Sequence, residues 1–236
     1  MADEADRKKE MRSADGAERR RGFLGFVAHE VRNPLSTALW SAELLGRISG
    51  EERGGARGEK LSAMCLRSIS RVRQLIEDHF LCERLDAGGI AVRPEAVPVR
   101  EIAQAAVERR PSDVGEVSVD VDAAVLLRAD RILLERALDA LVAIAGREGT
   151  TVRISVEPSG SDLSLVVAGR APESLTLDDP AKGSPSEPRG RALALPLVRR
   201  IAAALDGALS LSGDRYVLTL RRPERDASLK DPTIHP

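Results

Sequence analysis

The chain has 236 residues, 42% of them hydrophobic and 31% charged, which is enough to bury a core and suits two domains. A formal net charge of −1 gives no electrostatic attraction for nucleic acid or an anionic membrane, and 2% aromatic residues argue against base-stacking platforms. No stretch approaches the length of a membrane span, and Met1 to Arg21 is charged rather than built like a signal peptide, so a cytoplasmic protein without a membrane partner is expected.

Residues 1–13 form an N-terminal extension, and a first helix is predicted from about Ala14 to Ile48. Its apolar positions Leu24, Val27, Val31, Leu35, Ala38, Ala42 and Leu45 recur at spacings of three and four, the stripe of a bundle-forming helix. Inside it lies the run Phe23-Leu24-Gly25-Phe26-Val27-Ala28-His29-Glu30-Val31-Arg32-Asn33-Pro34-Leu35. At roughly 100° per residue, His29 points about 200° away from Val27 and Val31 and faces water, while Asn33, one turn on, lies over the same patch. Glu30 follows the histidine directly, and Pro34 removes a backbone hydrogen bond and should kink the helix just beyond it. A lone exposed histidine on an amphipathic helix is ordinary surface. The adjacent carboxylate, the amide at plus four and the proline at plus five favour phosphoryl transfer through imidazole.

The glycine-rich run from Ser49 to Gly58 reads as a turn, and a second helix covers about Glu59 to Leu85 with Leu61, Cys65, Ile69, Val72, Ile76 and Phe80 on one face. A two-helix hairpin cannot enclose its own apolar stripe. It is expected to pair with a copy of itself into a dimeric four-helix bundle over residues 14–89, the alternative being packing against the chain's own second half. Cys65 and Cys82 both fall in the second helix, so they read as small hydrophobes rather than a disulfide, and His79 reads as a bundle-packing or partly exposed contact.

After Gly88-Gly89 the pattern changes to short strands and helices over residues 90–222. Residues 90–93 and 97–99 read as extended, Val99 to Arg109 as a helix, and Val117 to Val121 and Val125 to Arg128 as strands. Then come a helix from Asp130 to Ala145, strands from Thr151 to Glu157 and Leu163 to Ala168, a helix from Leu193 to Leu205, and closing strands at 208–211 and 216–220. Helices interleaved with antiparallel strands make an α+β sandwich. Residues 223–236 are polar and proline-bearing, and are expected to be a flexible tail.

The run His29-Glu30-Val31-Arg32-Asn33-Pro34-Leu35 resembles the H-box of two-component sensor histidine kinases, His-Glu-hydrophobic-Arg-(Asn/Thr)-Pro-Leu, without a gap. Ser70 to Gly89 resembles the end of the second helix in that family's dimerisation and phosphoacceptor hairpin, and the order of elements after it resembles the family's catalytic, ATP-binding domain. The departures lie in that domain. The family's nucleotide helix carries Asp, Leu at plus four, Asn at plus ten and plus fourteen and Ala at plus fifteen. Here the same register gives Asp130, Leu134, Ala140, Ile144 and Ala145, so neither asparagine that helps to ligate Mg²⁺ is present. The Asp-x-Gly-x-Gly loop aligns with Gly169-Arg170-Ala171-Pro172-Glu173, and the third glycine box with Gly190-Arg191-Ala192-Leu193-Ala194-Leu195-Pro196-Leu197. The nucleotide lid is reduced to Pro180 to Pro188. These losses imply a chain that takes neither ATP nor any other cofactor and binds no metal of its own. Asp130 serves equally as a helix N-cap.

Three functions follow from the resemblance. In the first, the chain is a histidine phosphotransferase: His29 takes a phosphoryl group from a response-regulator receiver domain, directly or in a relay that includes a sensor kinase, and passes it to a second aspartate. Imidazole titrates near neutrality and is then a competent nucleophile. Glu30 would accept the departing proton or hold the ring, and Asn33 would position water or phosphoryl oxygens. The second is a non-catalytic pseudokinase that binds and regulates a response regulator or kinase. The third is a divergent cytosolic histidine autokinase, which alone requires nucleotide.

Overall fold

A computed structural model describes residue 25, residues 27–171 and residues 193–223. The expected helix start near Ala14, the shortened lid, Gly190 to Ala192 and most of the tail lie outside these. Packing divides the described residues into two units, one holding those up to Ile90 together with 193–200, the other holding 91–171 and 201–223.

The first unit is an antiparallel helical hairpin. Helix α1 runs through residues 27–47, and Pro34 sits inside it without interrupting it. The segment expected to be a glycine-rich turn contains a short helix, α2 (Gly50–Gly54). The Ser49 hydroxyl accepts the Glu52 N–H and the Glu52 carboxylate accepts the Ser49 N–H, each at 3.2 Å, which satisfies two orphan donors reciprocally. Arg57 donates to Glu52 at 2.7 Å. Helix α3 (Ala56–Asp86) begins three residues earlier than the periodicity predicts. Gly58 is required there, because a Cβ would stand 2.0 Å from the Arg53 carbonyl oxygen.

Each long helix carries two apolar faces where one stripe was expected. Val27 and Ala38 of α1, Ile48 just after it, and Leu61, Leu75 and Cys82 of α3 are buried within the chain. Leu35 and Leu39 of α1, with Leu66, Ile69, Ile76 and Phe80 of α3, stay exposed, Phe80 at 61%. Two helices in contact cover only a narrow wedge of one another, and these stripes are wider than that wedge. The thiols are both free, and Cys65 Sγ lies 3.5 Å from the Ala38 carbonyl oxygen, which fixes the register of the hairpin.

The second unit contains β1 (Glu95–Pro98), α4 (Val99–Arg109), β2 (Val117–Asp120), β3 (Leu126–Ala129), α5 (Arg131–Ala145), β4 (Val152–Ser159), β5 (Asp162–Ala168), β6 (Ala208–Ser212) and β7 (Arg215–Leu220). Residues 90–93 are not a strand; the extended segment is β1, paired antiparallel with β3 in a two-stranded sheet. The main sheet runs β2-β4-β5-β7-β6. It is mixed rather than antiparallel, because β2 pairs in parallel with β4. Alternation decides the face each side chain takes but not strand direction. The last helix, α6 (Ala194–Ala204), is divided between the units after Arg200.

Asp130 caps α5, accepting the N–H groups of Ile132 at 3.1 Å and Leu133 at 3.2 Å, and it also accepts from Arg93 N–H at 3.0 Å. Behind the cap Leu134, Leu138, Leu141 and Ile144 are fully buried, as are Ile154 of β4, Leu165 of β5 and Leu218 of β7. Arg109 of α4 reaches both oxygens of Asp139 on α5 at 3.0 Å, a bidentate clamp between the two helices.

Candidate functional site

On α1 the periodicity turns His29 and Asn33 outward, one turn apart on one exposed patch. The imidazole is 51% exposed and Glu30 only 3%, so Glu30 does not share the outward patch of His29 and Asn33: the carboxylate points into the hairpin. His29 Nδ1 lies 3.9 Å from Glu30 Oε1, within ion-pair range and outside hydrogen-bond range. That arrangement places Nδ1 on the side of the interior carboxylate, on a ring that is half exposed. The hydroxyls of Thr37 and Ser41 donate back to the carbonyls of Asn33 (3.1 Å) and Thr37 (2.7 Å), continuing the polar bonding of the helix past Pro34.

Burial raises the Glu30 carboxyl above its ordinary ionisation range, while the charges of His29 and of Arg71 on α3 pull it down. The net effect is a carboxyl that keeps its proton to a higher pH than a free glutamate does. The stability this group contributes is fully present below the unfolded value of about 4.3 and is lost as pH rises through the folded value. Glu30→Gln cannot ionise, so its urea-unfolding midpoint should not show this decline, while the wild-type midpoint should fall across that window. Parallel curves for the two proteins would contradict the burial.

Two residues near these candidates escaped the sequence reading. Trp40, the single tryptophan, follows His29 by eleven residues, which returns it to within about 20° of the histidine's direction; it is 56% exposed. That spacing is visible in the sequence. Arg71 lies on the other helix, and finding it needs the hairpin's register. His79 is half-buried with its ring 5.9 Å from that of Phe80.

In the second unit, the positions aligned with a nucleotide site are occupied by packing. Ile144 and Ala145 are fully buried and Ala140 is half-buried. Neither side chain, of Ala140 or of Ile144, carries an oxygen that could ligate Mg²⁺. Where the loop after β5 begins, Gly169 N–H donates to the Asp214 carbonyl at 3.0 Å, and Arg170 N–H donates to the Ala145 carbonyl at 2.7 Å, which ties the loop to the last turn of α5. The Arg170 guanidinium pairs with Glu148, and the Tyr216 hydroxyl donates to the Arg170 carbonyl at 2.9 Å. Tyr216 is fully buried, and that burial pushes its hydroxyl up to about 12.

A Cβ on Gly169 would stand 2.6 Å from the Ala145 carbonyl oxygen, so no carboxylate side chain fits there without moving backbone. Gly169→Ala should destabilise the second unit by about 1–3 kcal/mol in urea unfolding. A neutral effect would mean that the loop is not held against α5.

Residues 19–88 match the His Kinase A (phospho-acceptor) domain family. The chain is similar to the sensor protein DivL of Caulobacter vibrioides, 29% identical over 163 residues, covering 66% of this chain and 21% of that protein. It is also similar to the putative sensor histidine kinase NtrY-like of Rickettsia felis, 24% identical over 174 residues, covering 70% of this chain and 27% of that protein. The chain thus spans only a fifth to about a quarter of the length of these curated relatives. Among solved structures, the histidine kinase AdeS of Acinetobacter baumannii has the same fold, with a TM-score of 0.58 at 21% identity, covering 81% of this chain and 95% of that one. Among the described residues no helix is long and apolar enough to cross a membrane.

Proposed function

We propose, from the premise that the chain belongs to the two-component sensor histidine kinase family, that it acts as a histidine phosphotransferase, carrying phosphate on His29 between receiver-domain aspartates without using ATP. The observation that carries this reading is a contrast within the chain: the histidine motif is complete and its imidazole exposed, while the aligned nucleotide positions hold Ala140, the buried Ile144 and the tied loop at Gly169.

In the transfer, the Nε2 lone pair attacks the phosphorus of an aspartyl phosphate. A P–N bond forms as the P–O bond to the aspartate breaks, and the carboxylate leaves as the anion. The proton on Nδ1 stays on the ring beside Glu30, whose negative charge stabilises the imidazolium character that develops. Reversal onto a second aspartate uses the same atoms. Asn33, on the same patch, orients phosphoryl oxygens or water. The Mg²⁺ that such a transfer uses belongs to the receiver domain. Trp40, three turns along the same face, supplies the exposed aromatic on which a partner is anchored. The proposal includes a homodimer joined through the exposed apolar faces of α1 and α3, a cytoplasmic location, and a domain division near Gly89.

The separating experiment is incubation of the chain with labelled Mg·ATP and, in parallel, with a phosphorylated receiver domain. Label should pass from the receiver and not from ATP, and calorimetry with Mg·ATP should show no binding up to millimolar concentrations. Labelling from ATP would establish a divergent autokinase. Labelling from neither source would favour a regulatory scaffold.

A further inference from the structure

We infer that Arg71 is a positioning residue for His29, acting from the opposite helix through the buried carboxylate of Glu30. The inference rests on the reading of His29 as phosphoacceptor, and it adds a residue that the histidine motif does not contain.

The placement follows from the register of the hairpin. Cys65 of α3 meets Ala38 of α1. Moving eight residues toward the N-terminus of α1 reaches Glu30, and the same rise of about 12 Å along the antiparallel α3 reaches position 73. Arg71 is then within about 3 Å of the level of Glu30. It is also one turn before the buried Leu75, so it flanks the inward face of α3, and its Nη2 is shielded from solvent. The charged groups that act on the Glu30 carboxyl are His29 from its own helix and Arg71 from α3, and both favour the anion against the burial that opposes it.

The consequence for chemistry is directional. A carboxylate that is 97% removed from solvent would drift toward the neutral acid, and a neutral acid neither fixes the Nδ1–H tautomer nor stabilises positive charge on the ring. Arg71 opposes that drift, its charge favouring the anion against the burial. The anion holds the proton on Nδ1, which leaves the lone pair on Nε2. Arg71 acts through Glu30 rather than on the reacting atoms.

The test uses the full chain and potassium phosphoramidate, a small phosphodonor that needs neither a receiver nor ATP. In Arg71→Gln, carbon-13 titration should place Glu30 ionisation at higher pH than in wild type. Nitrogen-15 spectra should show a smaller Nδ1–H share at His29, and the labelling rate should fall roughly tenfold, the effect on the order of one pKa unit of charge stabilisation. Arg71→Lys, which keeps the charge, should restore all three readings. Arg71→Gln combined with Glu30→Gln should lose no more labelling rate than Glu30→Gln alone, because the two act in series. An unchanged Glu30 titration and His29 tautomer in Arg71→Gln would overturn the inference, as would additive losses in the double variant; if Arg71→Gln does not fold, the Lys variant and the double variant decide. Should every receiver fail to label the wild type while the tautomer still follows Arg71, the phosphotransferase reading falls and this coupling stands. Receiver labelling with a tautomer indifferent to Arg71 gives the reverse.

Discussion

His29→Ala should abolish acceptance of phosphate from a receiver domain while leaving the fold in place. The ring is 51% exposed and lies on the outer face of α1, so its removal should change stability by no more than about 0.5 kcal/mol. Circular dichroism and urea unfolding should superimpose on wild type, while acid-labile, base-stable label disappears completely. Asn33→Ala leaves the nucleophile intact and should slow turnover or hydrolysis without preventing a single round of labelling. Acid-labile phosphate on the His29→Ala protein would defeat the assignment.

The second large effect is on assembly. Light scattering should give wild type a mass of two 25.4 kDa chains, and Ile69→Asp with Ile76→Asp should give one. Both side chains are exposed in the single chain, so carboxylates there cost the isolated hairpin little. Between two copies they would be desolvated, at several kcal/mol each, which weakens association by about a thousandfold or more. A monomeric wild type at micromolar concentration would sink the bundle, and a dimeric double variant would move the interface elsewhere.

The elements of the second unit were legible from the sequence because local chemistry marks them: Asp130 opens α5 with a cap, and alternation in β7 leaves little choice of face. Ser49 and Glu52 show what was harder. Among four glycines and four charged residues the capping box was present to be read, but glycine content outweighed it. The division of Leu35, Ile69, Ile76 and Phe80 from Val27, Leu61 and Leu75 depends on which neighbour covers which side, and a helical period carries no such information. The same limit hid the inward turn of Glu30. Its position next to His29 in sequence means about 100° of rotation in a helix, which is enough to bury one side chain and expose the other. Arg71 and Tyr216 act on residues 41 and 46 positions away, Glu30 and Arg170, and no local pattern links such pairs.

Trp40 and Tyr216 are the chain's one tryptophan and one tyrosine, and they fall in different units, the first exposed and the second fully buried. The unaltered protein therefore carries two optical reporters with separate addresses. Excitation at the red edge, where tyrosine does not absorb, isolates Trp40, whose emission should shift to the blue when a partner covers the His29 face. Tyr216 answers for the sheet: its phenolate absorbance should stay silent through the alkaline range in which free tyrosine ionises and emerge near pH 12, or earlier if the second unit opens first. Docking and unfolding can thus be watched independently in one cuvette, without a label or a substitution.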